Sequence, residues 1–135
     1  MYRRLRRALP LVLATIAIAA CEETPVTPIV NPDPTVKSFS GRVTVNGGVT
    51  HRFLTTASGN ITVQIKTLSP SSAMVGLWLG IWTGASCNMM IENPDAVVNT
   101  LLTGVTSATG EFCARVFDLG RLTEPSDYTV EVTHF

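Results

Sequence analysis

The side chains that could perform acid–base or nucleophilic chemistry are few in this 135-residue sequence. His51 lies in the middle of a segment of alternating polarity, on the same face as Phe53, and His134 lies at the end of the chain, where we expect fraying. A general base also needs a positioned partner, and the spacing supplies none. The Gly-x-Ser-x-Gly motif of a serine nucleophile is absent from the sequence. We therefore predict no catalytic residue, no enzymatic activity and a hydrogen-bonded structural role for His51.

Three acidic residues, Asp118, Glu124 and Asp127, are the candidates for binding Ca²⁺. Ca²⁺ takes about 6–8 oxygen ligands, and no acidic loop here has the spacing of a calcium loop. We expect these carboxylates to cap turns instead, because aspartate accepts hydrogen bonds from its local backbone. Close Cys or His spacings of the kind that bind zinc are also missing. The sequence therefore predicts neither a metal nor another cofactor.

Trp78 and Trp82 have the spacing of a binding surface. They lie four residues apart on a predicted strand and point the same way, with Gly80 between them. A glycine beside an aromatic ring leaves the face of the ring open for stacking on a sugar or gripping a peptide. Arg115 and Phe117 share one face of a later strand and are predicted to extend this surface. The alternative is that another sheet, a loop or the chain upstream covers both tryptophans, since Trp is highly buried on average.

The segment that precedes these elements has the pattern of an export signal. Residues 1–7 contain four arginines and no acid, residues 8–20 are apolar apart from Thr15, and the run ends in Ala19 and Ala20. A basic region, a short apolar region and small residues at the cut site are typical of a secretory signal peptide. The apolar run has about a dozen residues, whereas a membrane-spanning helix needs about 20. We predict that residues 1–20 are a cleaved signal peptide.

The next residue is a cysteine, and Ile18-Ala19-Ala20-Cys21 resembles the lipobox of bacterial lipoproteins. The resemblance implies that Cys21 carries a diacylglycerol on its sulfur, that the peptide is cut before it, and that its new amino group is acylated. Several acyl chains anchor a protein stably to a membrane, where one does not. Glu22 differs from the aspartate that often retains lipoproteins at the inner membrane, so we expect an outer-membrane anchor in the bacterial envelope. The alternative is an ordinary signal peptide with a chance cysteine nearby.

Removal of the signal peptide changes the charge and the cysteine count. Without its four arginines, six basic residues remain against ten acidic ones, a net charge of about −4. This balance argues against nucleic acid and anionic lipid headgroups as partners, since both require a basic surface. Cys87 and Cys113 remain, and an even pair of cysteines in an exported chain predicts a disulfide.

The rest of the sequence predicts an all-β domain on a tether. Residues 21–37 contain four prolines and are expected to form an extended, semi-rigid spacer behind the lipidated cysteine. From Ser38 onward, short runs rich in Val, Ile, Thr and Phe alternate in polarity between turn-forming residues. Met74–Trp82 is apolar on both faces, as in a central strand. Residues 38–135 therefore predict a single antiparallel β-sandwich of about eight strands, of jelly-roll or immunoglobulin-like type.

Two turn signals set the expected strand boundaries. Asn46-Gly47-Gly48 predicts a hairpin after a strand that ends at Val45, because these residues tolerate positive φ. Asn93-Pro94-Asp95 predicts a turn before a strand over Val97–Val105.

Four short motifs of the domain resemble the bacterial pre-peptidase C-terminal domain family and its relatives: Phe39-Ser40-Gly41, Ala57-Ser58-Gly59, Val75-Gly76-Leu77 and Tyr128-Thr129-Val130-Glu131-Val132. The resemblance implies a secreted β-sandwich of the kind often attached to exported peptidases, with a role in targeting or substrate contact. The sequence departs from that pattern in two respects. It contains no peptidase region, and the Cys87–Cys113 pair is not a general feature of the family.

These observations together predict a membrane-anchored, non-enzymatic envelope lipoprotein. Its β-sandwich is expected to bind a polysaccharide or a protein through Trp78, Trp82, Arg115 and Phe117. The alternatives are a structural module that acts through protein contacts and an accessory domain related to exported peptidases.

Overall fold

The computed structural model describes residues 32–135, which form eight β-strands and no helix. The strands are β1 (Thr35–Val43), β2 (Gly48–Thr55), β3 (Gly59–Ser69), β4 (Val75–Trp82), β5 (Cys87–Ala96), β6 (Leu101–Thr106), β7 (Gly110–Phe117) and β8 (Ser126–His134). The predicted signal peptide, Cys21 and the tether as far as residue 31 lie outside the described residues. Residues 32–135 contain no apolar helix of the length that a bilayer crossing requires.

The strands pair as a nested set. β1 pairs with β8, β2 with β7, β3 with β6 and β4 with β5, all antiparallel, as in one long hairpin folded at the β4–β5 connection. Additional β3–β8 and β4–β7 ladders complete two four-stranded sheets, with strand orders β1-β8-β3-β6 and β2-β7-β4-β5. The predicted antiparallel β-sandwich is therefore confirmed, and this strand order is that of a jelly roll. We call the second sheet the β4 sheet.

The core lies between the sheets and is built from alternate residues of each strand. Ile61, Val63 and Ile65 of β3 are buried, and the residues between them face outward. Leu77 and Leu79 of β4 meet them from the opposite sheet and are fully buried. β4 has a neighbour on each side, so the apolar segment predicted to be a central strand is one.

The turn at Asn46-Gly47 is present, but it is not a hairpin. The Gly47 N–H donates to the Thr44 carbonyl over 2.9 Å, and Asn46 has a φ of 55°. The two strands that it joins belong to different sheets, because β1 pairs with β8 and β2 pairs with β7. Val45 lies in the turn and is exposed, so the prediction that the first strand extends to Val45 is wrong and β1 ends at Val43.

The turn predicted at Asn93-Pro94-Asp95 is also wrong. These residues belong to β5, where the register with β4 shifts and the Asp95 N–H donates to the Asn93 side-chain oxygen over 2.9 Å. Pro94 is tolerated here because a bulge on an edge strand does not need its missing N–H. The chain turns instead at Val97–Thr100, so β6 begins at Leu101.

Both ends of the domain are paired more fully than the sequence predicts. β1 begins at Thr35, so the last residues of the predicted tether already pair with β8. His134, expected at a frayed end, is buried and stacks on Phe53 at 5.3 Å between ring centroids. The Thr56 N–H donates to the Phe135 carbonyl over 2.9 Å and holds the C-terminal end in place.

Candidate ligand-binding groove

The four predicted site residues lie on the outer face of the β4 sheet. Trp78 and Trp82 project from β4, and Arg115 and Phe117 project from its neighbour β7. The residues between them on the other face, such as Leu77, Leu79 and Val116, are fully buried in the core, whereas Ile81 at the end of β4 is exposed. The predicted common face is therefore confirmed, although the contacts of its members differ.

Trp78, Arg115 and Phe117 pack on one another. The Phe117 ring lies 4.9 Å from the Trp78 ring, and the Arg115 guanidinium carbon lies 5.1 Å from the Trp78 ring centroid. Gly76 makes room for this cluster, because a Cβ at that position would overlap the Phe117 ring. The space beside Trp78 is thus filled by protein and is not the open ring face that the glycine pattern predicts.

The predicted disulfide between Cys87 and Cys113 is present. It links β5 to β7 and crosses Gly80 of β4, where a Cβ would collide with the Asn88 carbonyl oxygen. The Trp78 indole N–H donates to Cys87 Sγ over 3.1 Å, which joins the aromatic cluster to the disulfide. Gly80 therefore accommodates the start of β5 rather than exposing a tryptophan ring.

Arg115 lies flat over the adjacent strand β2. Its Nη1 donates to Thr50 Oγ1 over 3.3 Å, and a Cβ at Gly48 would lie only 2.6 Å from Nη2. The missing side chain of Gly48 lets the guanidinium lie between β2 and the Trp78 ring. Arg115 is therefore half-buried, and its Nε is covered without an acceptor among residues 32–135.

Trp82 lies apart from this cluster and contacts Arg52. The Arg52 guanidinium carbon is 5.0 Å from the Trp82 ring centroid. The Trp82 indole N–H is covered and has no acceptor among residues 32–135, whereas that of Trp78 is satisfied. Trp82 also lines an open groove of about 650 Å³, which we call the Trp82 groove. Its walls are Lys37, Phe39, Thr50, His51, Arg52, Phe53, Leu54, Trp82 and Glu111.

The inner wall of the Trp82 groove is a set of stacked rings where β1 and β2 meet. His51 Nε2 lies 2.7 Å from the Tyr128 hydroxyl, and Phe39 stacks on His51 at 4.9 Å. The predicted hydrogen-bonded role of His51 is therefore confirmed. Burial lowers the pKa of His51 below its ordinary value, so the imidazole is neutral at pH 7. The charges of the groove at that pH come from Lys37, Arg52 and Glu111.

Three groove residues, Lys37, Arg52 and Glu111, were not singled out from the sequence. Arg52 and Glu111 lie at polar positions of alternating segments, and Lys37 ends the predicted tether, so nothing local distinguishes them from other surface charges. The register of β2 with β7 and of β7 with β4 brings Arg52 beside Trp82, although the two residues belong to strands that do not pair with each other.

Asp118 caps turns, as predicted, whereas the same prediction for Asp127 is wrong because Asp127 lies on β8 and its carboxylate accepts hydrogen bonds from Arg42. The Asp118 carboxylate accepts the backbone N–H groups of Asn46 and Arg121, both over 2.8 Å, and of Leu122 over 3.1 Å. Burial opposes its ionisation, but these donors outweigh burial and hold the pKa of Asp118 below its usual value. Across residues 32–135, no group of three or more His, Cys, Asp or Glu side chains could hold a metal ion.

The fold and the groove together define a jelly-roll domain with an aromatic and cationic groove at one edge of a sheet. No protein-family model matches the chain, and no curated protein matches it.

Proposed function

We propose that this protein is a non-enzymatic lipoprotein of the bacterial cell envelope, anchored through Cys21, whose jelly roll binds a polysaccharide in the Trp82 groove. The observation that carries the proposal is the open groove in which Trp82 and Phe39 are combined with charged side chains. We place the ligand on Trp82, which lines the groove, rather than on Trp78, which does not line it and whose ring contacts both Arg115 and Phe117.

The chemistry of the groove suits a sugar better than an apolar molecule. Sugars combine an apolar ring face with a rim of hydroxyl groups, and they bind where an aromatic ring lies beside hydrogen-bonding side chains. Trp82 provides the ring, and Thr50, Arg52 and Glu111 provide donors and acceptors along the same walls. Jelly rolls also occur in lectins, which is an analogy at the level of the fold alone.

Tryptophan fluorescence tests the binding proposal, because the chain contains only two tryptophans. We expect a polysaccharide to change the emission of the wild-type protein and of Trp78→Phe, and to leave the emission of Trp82→Phe unchanged. Trp82→Ala should weaken binding by tenfold or more, the equivalent of about 1.4 kcal/mol. Leu119→Ala, at an exposed apolar residue outside the groove, is the control. Unchanged binding by Trp82→Ala would rule out the groove.

Membrane fractionation tests the anchor. The wild-type protein should sediment with the membranes, and Cys21→Ser should leave the protein uncleaved or release it from them. Mass spectrometry of the mature N-terminal peptide should show the acyl chains on Cys21. An unmodified Cys21 in a protein cut at another site would rule out the lipoprotein assignment.

A second candidate function, a protein-contact module, is favoured by the edge strand β5. Met89, Met90 and Ile91 are 51%, 45% and 38% exposed in succession on this strand. Exposed apolar edge strands pair readily with other chains. If the protein acts this way, its mass in sedimentation should rise with concentration, and Met90→Lys should abolish the rise while Leu119→Lys preserves it. A constant mass would argue against self-association through β5. The resemblance to domains of exported peptidases supports an accessory role only as a further proposal.

A further inference from the structure

The basic residues of the domain fall into two groups. Arg42, Lys66 and Arg121 each pair with a carboxylate, on Asp127, Glu131 and Asp95 respectively. Lys37, Arg52 and Arg115 have no carboxylate of residues 32–135 within the 4.0 Å of a salt bridge. Within residues 32–135, carboxylates therefore neutralise the basic residues of the first group and not those of the second.

Two of the three free cations face the same cavity. Lys37 and Arg52 both line the Trp82 groove, where Glu111 is the only carboxylate among the lining residues. The remainder of the mature chain carries an excess of acid. A cleft lined with one sign of charge concentrates the potential and attracts ligands of the opposite sign.

We propose that the polysaccharide bound in the Trp82 groove carries carboxylates, as a polymer of uronic acids does. This inference rests on the proposed function. The Arg52 guanidinium is held against the Trp82 ring, and its planar fork matches the two oxygens of a carboxylate. A uronic acid carries its carboxylate at the rim of its sugar ring, and Arg52 and Trp82 line the same groove, so one sugar unit can meet both side chains. Lys37 lines the same groove and adds a second positive charge.

Glu111 restricts which anions the groove accepts. Its carboxylate lines the same groove, without a salt bridge to Lys37 or Arg52. It repels a densely charged polymer such as a sulfated glycan or a nucleic acid, and it accepts hydrogen bonds from sugar hydroxyls. The groove therefore favours a ligand in which each carboxylate is accompanied by several hydroxyl groups.

The test measures binding of the full-length protein, in a neutral detergent, to paired polymers by calorimetry. The probes are alginate, polygalacturonate and hyaluronate, each beside its carboxyl-reduced form, together with dextran sulfate and a single-stranded oligonucleotide. We expect at least one uronic acid polymer to bind and its carboxyl-reduced form to bind at least tenfold more weakly.

Charge variants locate the effect. Arg52→Gln and Lys37→Gln should each weaken binding of that polymer by about tenfold, in line with the loss of one charge-assisted hydrogen bond. Their controls, Arg42→Gln and Lys66→Gln, remove basic residues that are already paired and should leave binding unchanged. Glu111→Gln should increase binding of dextran sulfate. Thermal unfolding of every variant verifies that the fold is retained.

The outcomes separate this inference from the proposed function. If a polymer and its carboxyl-reduced form bind equally well and Trp82→Ala weakens both, the proposed function holds and the carboxylate inference is overturned. If dextran sulfate or the oligonucleotide binds as tightly as the uronic acid polymers, the inference is also overturned. If none of the polysaccharides binds in either form, both are overturned.

Discussion

The imidazole of His51 and the hydroxyl of Tyr128 form a hydrogen bond of 2.7 Å that joins the two sheets of the jelly roll. His51 belongs to β2 of the β4 sheet, and Tyr128 belongs to β8 of the other sheet. Phe39 stacks on the imidazole and closes the same edge of the sandwich. This bond therefore supports the wall of the Trp82 groove as well as the contact between the sheets.

Loss of the Tyr128 hydroxyl should destabilise the fold. Tyr128→Phe keeps the ring but leaves a half-buried nitrogen of His51 without its partner. We therefore expect the free energy of unfolding, measured in urea, to decrease by about 1–2 kcal/mol. The control is Ser40→Ala, which removes an exposed hydrogen bond to Thr129 and should change stability by less than about 0.5 kcal/mol. Equal effects of the two variants would contradict a specific role for the His51–Tyr128 bond.

His51 should also make stability depend on pH in the mildly acidic range. Burial lowers its pKa in the folded state, so the unfolded chain binds the proton more readily. The stabilisation is complete above the unfolded value of about 6.5 and is lost as the pH falls through the lower pKa of the folded state. We expect the free energy of unfolding of the wild-type protein to decrease from pH 7 to pH 5 more than that of His51→Gln. Parallel curves for the two proteins would show that His51 does not titrate differently on folding.

Tyr128 should resist ionisation at high pH. Burial raises its pKa to about 12, compared with an ordinary value of about 10. A raised pKa stabilises the fold fully below pH 10, and this stabilisation is lost as the pH rises through the folded value. The difference in tyrosinate absorbance between the wild type and Tyr128→Phe isolates this residue from Tyr2 and should show a midpoint near 12. A midpoint near 10 would mean that Tyr128 is accessible to solvent.

Gly76 should not tolerate a side chain. A methyl group at this position overlaps the Phe117 ring, so Gly76→Ala should lower the free energy of unfolding by about 1–3 kcal/mol. The cost should fall in a Phe117→Leu background, because the smaller side chain can move away. The matched control is Gly110→Ala, where the new Cβ would lie 3.8 Å from the Phe112 ring and should be accommodated. An equal cost of Gly76→Ala in both backgrounds would disprove the steric explanation.

The disulfide should contribute a large share of the stability. The bond between Cys87 and Cys113 closes a loop with a sequence separation of 26, for which the chain-entropy relation predicts roughly 3–4 kcal/mol. The double variant Cys87→Ser with Cys113→Ser should unfold at a correspondingly lower urea concentration. A reducing agent should lower the wild-type midpoint to that of the double variant and should not affect the double variant itself.

The regular elements of this protein could be predicted because their signals are local. Alternation at Ile61, Val63 and Ile65 places one face of β3 in the core, whatever strands surround it. Met74–Trp82 is apolar on both faces, and such a segment is stable only with neighbours on both sides. The pairing of Cys87 with Cys113 was predicted from the even number of cysteines that remains when Cys21 is set aside, and the disulfide is present.

The two tryptophans show the limit of that reasoning. Trp78 and Trp82 are both tryptophans on the same strand, and Gly80 lies between them. In the fold, Trp78 is enclosed by Arg115 and Phe117, and Trp82 lines a groove with Arg52. Their surroundings depend on β7, which pairs with β4, and on β2, which pairs with β7, and both registers join distant parts of the chain.

The sequence by itself determined that the described domain is all β, which face of β3 lies in the core and which cysteines pair, because these properties depend on alternation and composition. Tertiary structure alone decided that the Asn46-Gly47 turn joins two sheets and that Lys37, Arg52 and Glu111 meet beside Trp82. The physical reason is that a turn signal specifies a change of chain direction, whereas the partner of each strand is chosen by burial and hydrogen bonding across the whole domain.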